Sequence, residues 1–232
     1  MRLEVLPEAE AVARRAAGLL AAEARASVAR NGRAVLATSG GSTPWRMLRL
    51  LADEDVPWSH IHLFQVDERA APADHPDRNL GHLRESLLGH VLLPEGHLHA
   101  MPVDAPDLTA AAARYEAELH AFAGTPAVLD LVHLGLGADG HTASLVSGDP
   151  ALEVEDADVA VTCPYRGWRR MTLTRSALAR ARSIVWVVTG ADKAVALSKL
   201  RRGDDSIPAG RISVANAVIF ADEAAAGSQA TT

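Results

Sequence analysis

Residues 131–146 read LVHLGLGADGHTASLV: an apolar run passes into three closely spaced glycines, Gly135, Gly137 and Gly140, and His141 stands where the pattern predicts a helix to begin. A buried strand that delivers its backbone into a glycine-rich turn and a helix N-terminus makes a concave, amide-lined, partly positive pocket suited to an anionic or electrophilic small molecule. His141 falls on the rim of that pocket, with a side chain that moves a proton near neutral pH.

On either side of this stretch the chain alternates between strand and helix patterns. Glu8 to Arg30 carries Val12, Ala16, Leu19, Leu20 and Ala24 at helical spacing, with Asn31-Gly32 as the stop. Ala34 to Thr38 reads as a short strand ending in SGGSTP, and Pro44, Trp45, Leu48 and Leu51 begin and line a second helix. The alternation recurs as strand His60–Asp67, helix Leu80–Leu88, strand His97–Met101, helix Leu108–Phe122 and strand Val128–Gly135. Such a series predicts a mainly parallel sheet covered on both faces. Past Pro150 the pattern becomes a strand pair, Asp158–Cys163 and Met171–Thr174, around PYRGWRR, then a short helix near Ser176–Ala181. Ile184–Thr189 resumes the buried strand, GADK leads into a helix over Ala191–Leu200, and Ala217–Ala221 is the last strand. RRGDDS reads as a loop and the Ala/Gly/Ser/Thr-rich tail as a frayed terminus. The expected organisation is one domain over residues 1–232, with a small β-containing lobe beside the main sheet.

Composition removes several classes of function. Lys and Arg number 23 against 29 Asp and Glu, a net charge of −6, which leaves no broad basic surface for nucleic acid. The apolar runs are strand-length, far short of the roughly 20 residues that cross a bilayer, so no membrane role is expected. The single cysteine, Cys163, allows no internal disulfide, and no export signal is read at the amino terminus, so a cytoplasmic location is expected.

Ligands of an open parallel sheet bind beyond the carboxyl ends of its strands, and the polar clusters of this chain sit there. In SGGSTP, Gly40 and Gly41 let backbone amides approach an anion, while Ser42 and Thr43 add hydroxyls at a helix N-terminus. The spacing is not that of a nucleotide P-loop, so a phosphorylated metabolite suits it better than ATP. In VDER, Arg69 is placed to grip a phosphate or carboxylate and Asp67 to orient a partner or act as a base. GLGADGH satisfies GxGxxG literally, but only His141–Val146 precede the breaker SGDP, too short for the helix and second strand of a dinucleotide site. His141 as general base has Asp139 or Glu68 to orient its ring, and Lys193 in VTGADKA lies just past a buried strand within reach of the same phosphate. His60 with His62 and His97 with His99 lack a third metal ligand and read as structural. No GxSxG elbow supports covalent hydrolysis.

Together SGGSTP, VDER, GLGADGHTASL, RMTLT and VTGADKA, in this order from about Leu36 to the last helix, resemble the 6-phosphogluconolactonase family. The resemblance implies a Rossmann-like three-layer α/β/α sandwich, similar in fold to glucosamine-6-phosphate deaminases. It implies hydrolysis of 6-phospho-D-glucono-1,5-lactone to 6-phosphogluconate, the second step of the oxidative pentose phosphate pathway, with no metal or organic cofactor. By position, His141 resembles the base that activates water. Arg69, Lys193 and the Gly41-Ser42-Thr43 turn resemble the phosphate-binding group, Asp67 and Asp139 the accompanying acids, and Arg170 a further ligand contact. The expected partner is a small sugar-phosphate lactone, and the expected assembly a monomer or weak homodimer.

Two rivals remain at this level. A deaminase/isomerase of the same scaffold needs further acid/base groups; its pattern has an acid five positions after the histidine, where this chain has Val146, so HTASLV favours the lactonase. A non-catalytic sugar-phosphate-binding protein would keep the cradle and lose the base, and His141 argues against it. The chain also departs from the family pattern at Val146-Ser147, usually Phe-Pro, and at Arg78 before Asn79, usually Ser; Arg78 either adds a cation to the pocket or points into solvent.

Overall fold

The computed structural model describes residues 1–212 and 215–227. Its elements are β1 (Arg2–Leu6), α1 (Ala9–Asn31), β2 (Ala34–Thr38), α2 (Ser42–Leu51), β3 (Ile61–Gln65), β4 (Asp67–Arg69), α3 (Asn79–Ser86), β5 (Leu98–His99) and α4 (Leu108–Ala123). They continue with β6 (Leu131–Gly135), β7 (Val159–Val161), β8 (Arg170–Leu173), α5 (Arg175–Ala179), β9 (Ile184–Val188), α6 (Ala194–Arg202), β10 (Ala217–Asp222) and α7 (Glu223–Ala226). A seven-stranded sheet runs in the order β1-β10-β9-β6-β2-β3-β5, parallel throughout, beside a three-stranded antiparallel sheet β4-β8-β7.

Strand alternation divides the core into two layers. Leu36, Leu131, Val185 and Val187 point to the side covered by α1, α2 and α3, where Val12, Leu20, Met47, Leu48 and Leu83 meet them. Val35, Val132, Leu134 and Trp186 point to the side of α4 and α6, against Tyr115, Leu119, Leu197 and Leu200. A sheet buried on both faces needs the near-continuous apolar strands this sequence supplies, and the result is the three-layer α/β/α sandwich with a small β lobe. Gly32, at φ 74°, ends α1 where Asn31-Gly32 predicts a stop.

Two expectations are corrected, and one strand is added. No helix follows GLGADGH: Gly140 at φ 84° and Ala143 at φ 52° turn the chain left-handed, and Thr142 and Leu145 face each other in an isolated bridge. The predicted strand His60–Asp67 is two strands. After β3 the backbone leaves the main sheet, and Asp67–Arg69 becomes β4, paired with β8, so the acids and arginine of VDER belong to the small sheet and do not end a strand of the main one. The amino terminus adds β1, which pairs in register with β10, Leu3 opposite Ile219. Of the tail, Glu223–Ala226 is helical and residues 228–232 lie outside the described set.

Candidate active site

Strands β2, β6 and β9 are neighbours in the main sheet, and the loops leaving their carboxyl ends converge on one side. Chain order reverses around β6, with the earlier β2 on one flank and the later β9 on the other. The small sheet closes the remaining side. Between them lies a cavity of about 260 Å³ lined by Gly41, Ser42, Thr43, Asp67, Arg69, His141, Arg170 and Lys193. Every residue named from the sequence for catalysis or phosphate binding lines this space except the two acids considered for orienting His141: Asp139, which stands behind it, and Glu68.

The cradle from SGGSTP forms because α2 starts at Ser42, with Gly41 at φ 130° as its cap. The peptide N–H groups of a helix's first turn have no carbonyl inside the helix to bond, and the dipole adds partial positive charge there. Thr43 Oγ1 lies 2.6 Å from Thr189 Oγ1, tying the start of α2 to the end of β9. Gly40 is required by close packing: a Cβ there would fall 2.1 Å from Asn79 Oδ1. Lys193 reaches the same cavity from the 3-10 turn before α6, with Asp192 2.9 Å from its Nζ.

The glycine turn does a different job from the one expected of it. Gly137 N–H donates to His141 O at 2.8 Å, Gly140 N–H to Gly137 O at 2.9 Å, and His141 N–H to Asp139 Oδ1 at 3.2 Å. The turn lines the cavity, but these amides are spent closing it and are not free to bind an anion; they fix His141. His141 Nδ1 lies 2.5 Å from Asp139 Oδ1. Burial opposes ionisation of Asp139, yet the hydrogen bond and charge of His141, helped by the Tyr165 hydroxyl, outweigh it and hold the carboxyl below its ordinary range. An ionised carboxylate only accepts, so Nδ1 carries the proton and Nε2 of the neutral ring is left as the basic nitrogen. A Cβ on residue 137 would fall 2.1 Å from His141 Nδ1.

Arg69 and Arg170 are directly opposed across β4 and β8. Like charges in that register repel, and burial, then the Arg69 charge, lowers the Arg170 pKa from the usual guanidinium value. Both retain a buried Nε without a partner. Arg69 Nη1 donates to Asp77 O at 2.6 Å, and Arg170 Nη1 lies 3.5 Å from Ser144 Oγ. Paired cations with unused donors, Arg170 buried and Arg69 half-buried, facing a cavity, are stabilised by an anion. Asp67 supplies part of the balancing charge. It is buried and accepts from Ser144 Oγ at 2.6 Å and Asn79 Nδ2 at 3.4 Å.

Other sequence candidates are placed elsewhere. Glu68 does not orient His141; fully buried, it accepts from the peptide N–H groups of Arg69 and Asn79, each at 2.8 Å, and of Leu80 at 2.7 Å, capping α3. Arg78 neither enters the cavity nor reaches solvent: it is buried, bonded to Ala71 O and Asp104, each at 2.7 Å. Val146 does not line the cavity. His62 and His99 bond each other at 3.1 Å beneath Phe122, and burial, with the charges of His97 and His99, lowers His62 to about 4. Among the described residues, Glu116, His120 and Asp158 bring metal-ligating atoms within 4.8 Å of one another, but outside the cavity, where Asp158 already accepts from Ala127 N–H and Arg180. Ser144 and Tyr165 were missed from the sequence: each acts through a partner more than twenty positions away, which no local spacing marks.

Residues 7–220 match the family model described as glucosamine-6-phosphate isomerases/6-phosphogluconolactonase. The chain is 42% identical over 178 residues to a 6-phosphogluconolactonase of Synechocystis sp., covering 75% of this chain and 74% of that one. To a 6-phosphogluconolactonase of Nostoc sp. it is 35% identical over 234 residues, 98% of this chain and 97% of the other. The crystal structure of 6-phosphogluconolactonase from Thermotoga maritima superposes with a TM-score of 0.85 at 25% identity, over 95% of this chain and 98% of that one.

Proposed function

The chain belongs to the glucosamine-6-phosphate isomerase/6-phosphogluconolactonase family, and on that premise we propose how its site performs the activity for which its relatives are named. The enzyme hydrolyses 6-phospho-D-glucono-1,5-lactone to 6-phosphogluconate, the second step of the oxidative pentose phosphate pathway.

The phosphate is held by Lys193, Arg69 and the Gly41-Ser42-Thr43 turn, with Arg170 as a further contact. His141 Nε2 takes a proton from water as the water oxygen attacks the lactone carbonyl carbon. The carbonyl pair moves onto oxygen as a tetrahedral oxyanion, and the facing arginines supply positive charge on that side of the cavity. Collapse re-forms the carbonyl and breaks the ring C–O bond; the imidazolium returns its proton to the departing ring oxygen, and the new carboxylic acid ionises. Asp139 stabilises the transient imidazolium, and Asp67 balances the arginines. Preorganised charge of this kind is typically worth about 2.7 to 4 kcal/mol per donor, ample for an ester already reactive in water.

The observation that carries this reading is the Asp139–His141 pair on the rim of the cavity that Lys193, Arg69 and the α2 N-terminus also line. One chain supplies all of these groups, which supports a single domain over residues 1–232 acting as a monomer or weak homodimer. The free, exposed Cys163 supports a cytoplasmic setting. Among the described residues, no helix is long and apolar enough to cross a membrane. The test is a coupled assay with freshly generated lactone. Wild type accelerates hydrolysis above the spontaneous rate, and His141→Ala loses most of that acceleration with little change in affinity for 6-phosphogluconate; parent-rate hydrolysis by the variant would overturn the role of His141.

A further inference from the structure

Between β7 and β8 the chain turns at Arg166 and Gly167, with φ of 50° and 89°. Tyr165 N–H donates to Trp168 O at 2.9 Å and Trp168 N–H returns to Tyr165 O at 3.3 Å. Positive φ at both central residues of a two-residue hairpin is the type I′ turn, whose twist matches the flanking strands. A non-glycine residue at positive φ costs about 1 kcal/mol; Arg166 recovers part of this by laying its guanidinium 5.1 Å from the centroid of the Tyr165 ring.

The hairpin tip is fastened on both sides of the cavity mouth. Trp168 Nε1 donates to Asp77 Oδ2 at 2.9 Å, on the loop whose Asp77 carbonyl accepts from Arg69. Tyr165 O–H donates to Asp139 Oδ2 at 3.1 Å. The Tyr165 ring also stands edge-on to the His141 imidazole, centroids 5.8 Å apart at 64°, and Arg170 Cζ lies 5.0 Å from its centre. The Asp139 side chain is 51% exposed. With Oδ1 alone engaged, a carboxylate that open to water rotates about its last bond; with Oδ2 held by Tyr165 both oxygens are committed and its plane is set.

Resting on the lactonase reading above, we infer that Tyr165 is a positioning residue for the reaction: it locks Asp139 so that His141 keeps the Nδ1–H tautomer and one ring orientation. Tyr165 acts through Asp139 and touches no reacting atom. An acid that rotates away leaves the imidazole free to exchange tautomers, and each molecule with Nε2 protonated lacks the base.

Tyr165→Phe keeps the ring edge and removes only the hydroxyl. The expected result is a fall in kcat of about tenfold, the scale of one hydrogen bond to a charged group, with KM unchanged within about twofold, since no phosphate contact is lost. Nitrogen-15 NMR of the imidazoles supplies a readout independent of turnover: His141 is a single Nδ1–H species in wild type and a tautomer mixture in the variant. A merely structural role would move neither the tautomer nor kcat alone. Wild-type kcat in Tyr165→Phe, or an unchanged His141 tautomer, overturns the inference while leaving the lactonase reading standing. A wild-type protein that fails to exceed the spontaneous hydrolysis rate overturns that reading, and this inference with it.

Discussion

Ser144 Oγ donates a 2.6 Å hydrogen bond to Asp67 Oδ2, joining the turn after β6 to the small sheet across 77 positions. Both side chains are buried, and the same hydroxyl lies 3.5 Å from Arg170. This one oxygen therefore connects the part of the site that carries His141 to the part that carries the arginines. Ser144→Ala leaves a buried carboxylate short of a donor, a loss of about 2 kcal/mol. Urea unfolding should show that drop; an unchanged midpoint would mean that water replaces the hydroxyl without cost.

Gly137 has no room for a methyl group. Its Cβ would meet His141 Nδ1 at 2.1 Å and Asp139 Oδ1 at 2.5 Å. Both are side-chain atoms, so in Gly137→Ala the imidazole moves aside and the strand below it stays. Activity is expected to fall to nearly that of His141→Ala, with a melting temperature within a few degrees of wild type. Retention of more than half the parent turnover would show that the imidazole tolerates displacement.

In the proposed mechanism Lys193, which lines the cavity, contributes charge to binding and takes no part in proton transfer. Lys193→Ala should weaken 6-phosphogluconate binding in titration calorimetry by about tenfold or more, as expected for loss of a charge-assisted hydrogen bond. Its kcat at saturating lactone should change far less. Equal affinity in parent and variant would remove this lysine from the phosphate site.

Stability should fall below pH 6.5 for a reason unconnected with catalysis. His133, on β6 beneath the cradle, is fully buried, and burial lowers its pKa from 6.5 to about 3. Its Nδ1 accepts from Ser39 N–H at 3.3 Å, and Nε2 has no partner. The folded-state value lies below the unfolded one, so this group's contribution is complete above pH 6.5 and is lost progressively as pH falls toward 3. The slope approaches about 1.4 kcal/mol per pH unit for one proton. Denaturant midpoints between pH 7 and pH 4 should fall less steeply in His133→Gln than in wild type; parallel curves would contradict the assignment.

The main sheet and its helices were legible because each buried strand is bounded by its own turn signal: Asn31-Gly32, SGGSTP and GADK all mark real element ends. The errors share a cause. VDER reads as the tail of one strand, His60–Asp67, because the partner of its second half, Arg170–Leu173, lies a hundred positions on, and pairing at that range leaves no local pattern. The helix expected from His141 fails because Gly140 and Ala143 both take positive φ, which a short apolar stretch does not announce. β1 escaped because an edge strand with Val5 41% exposed lacks strict alternation. The cavity residues were identifiable one loop at a time, each cluster standing at a strand end. Ser144 and Tyr165 were not, since their importance arises only once distant loops meet.

The cavity is walled by two sheets that share no strand. His141 and Lys193 ride on the large parallel sheet, Arg69 and Arg170 on the small antiparallel one. The geometry of the proposed site is thus a gauge of how the two lobes are aligned, and a slip of an ångström between them would part His141 from the facing arginines while every helix stayed intact. Turnover should accordingly vanish at lower denaturant concentrations than helical circular dichroism, making the enzyme fragile in action well before it is fragile in shape.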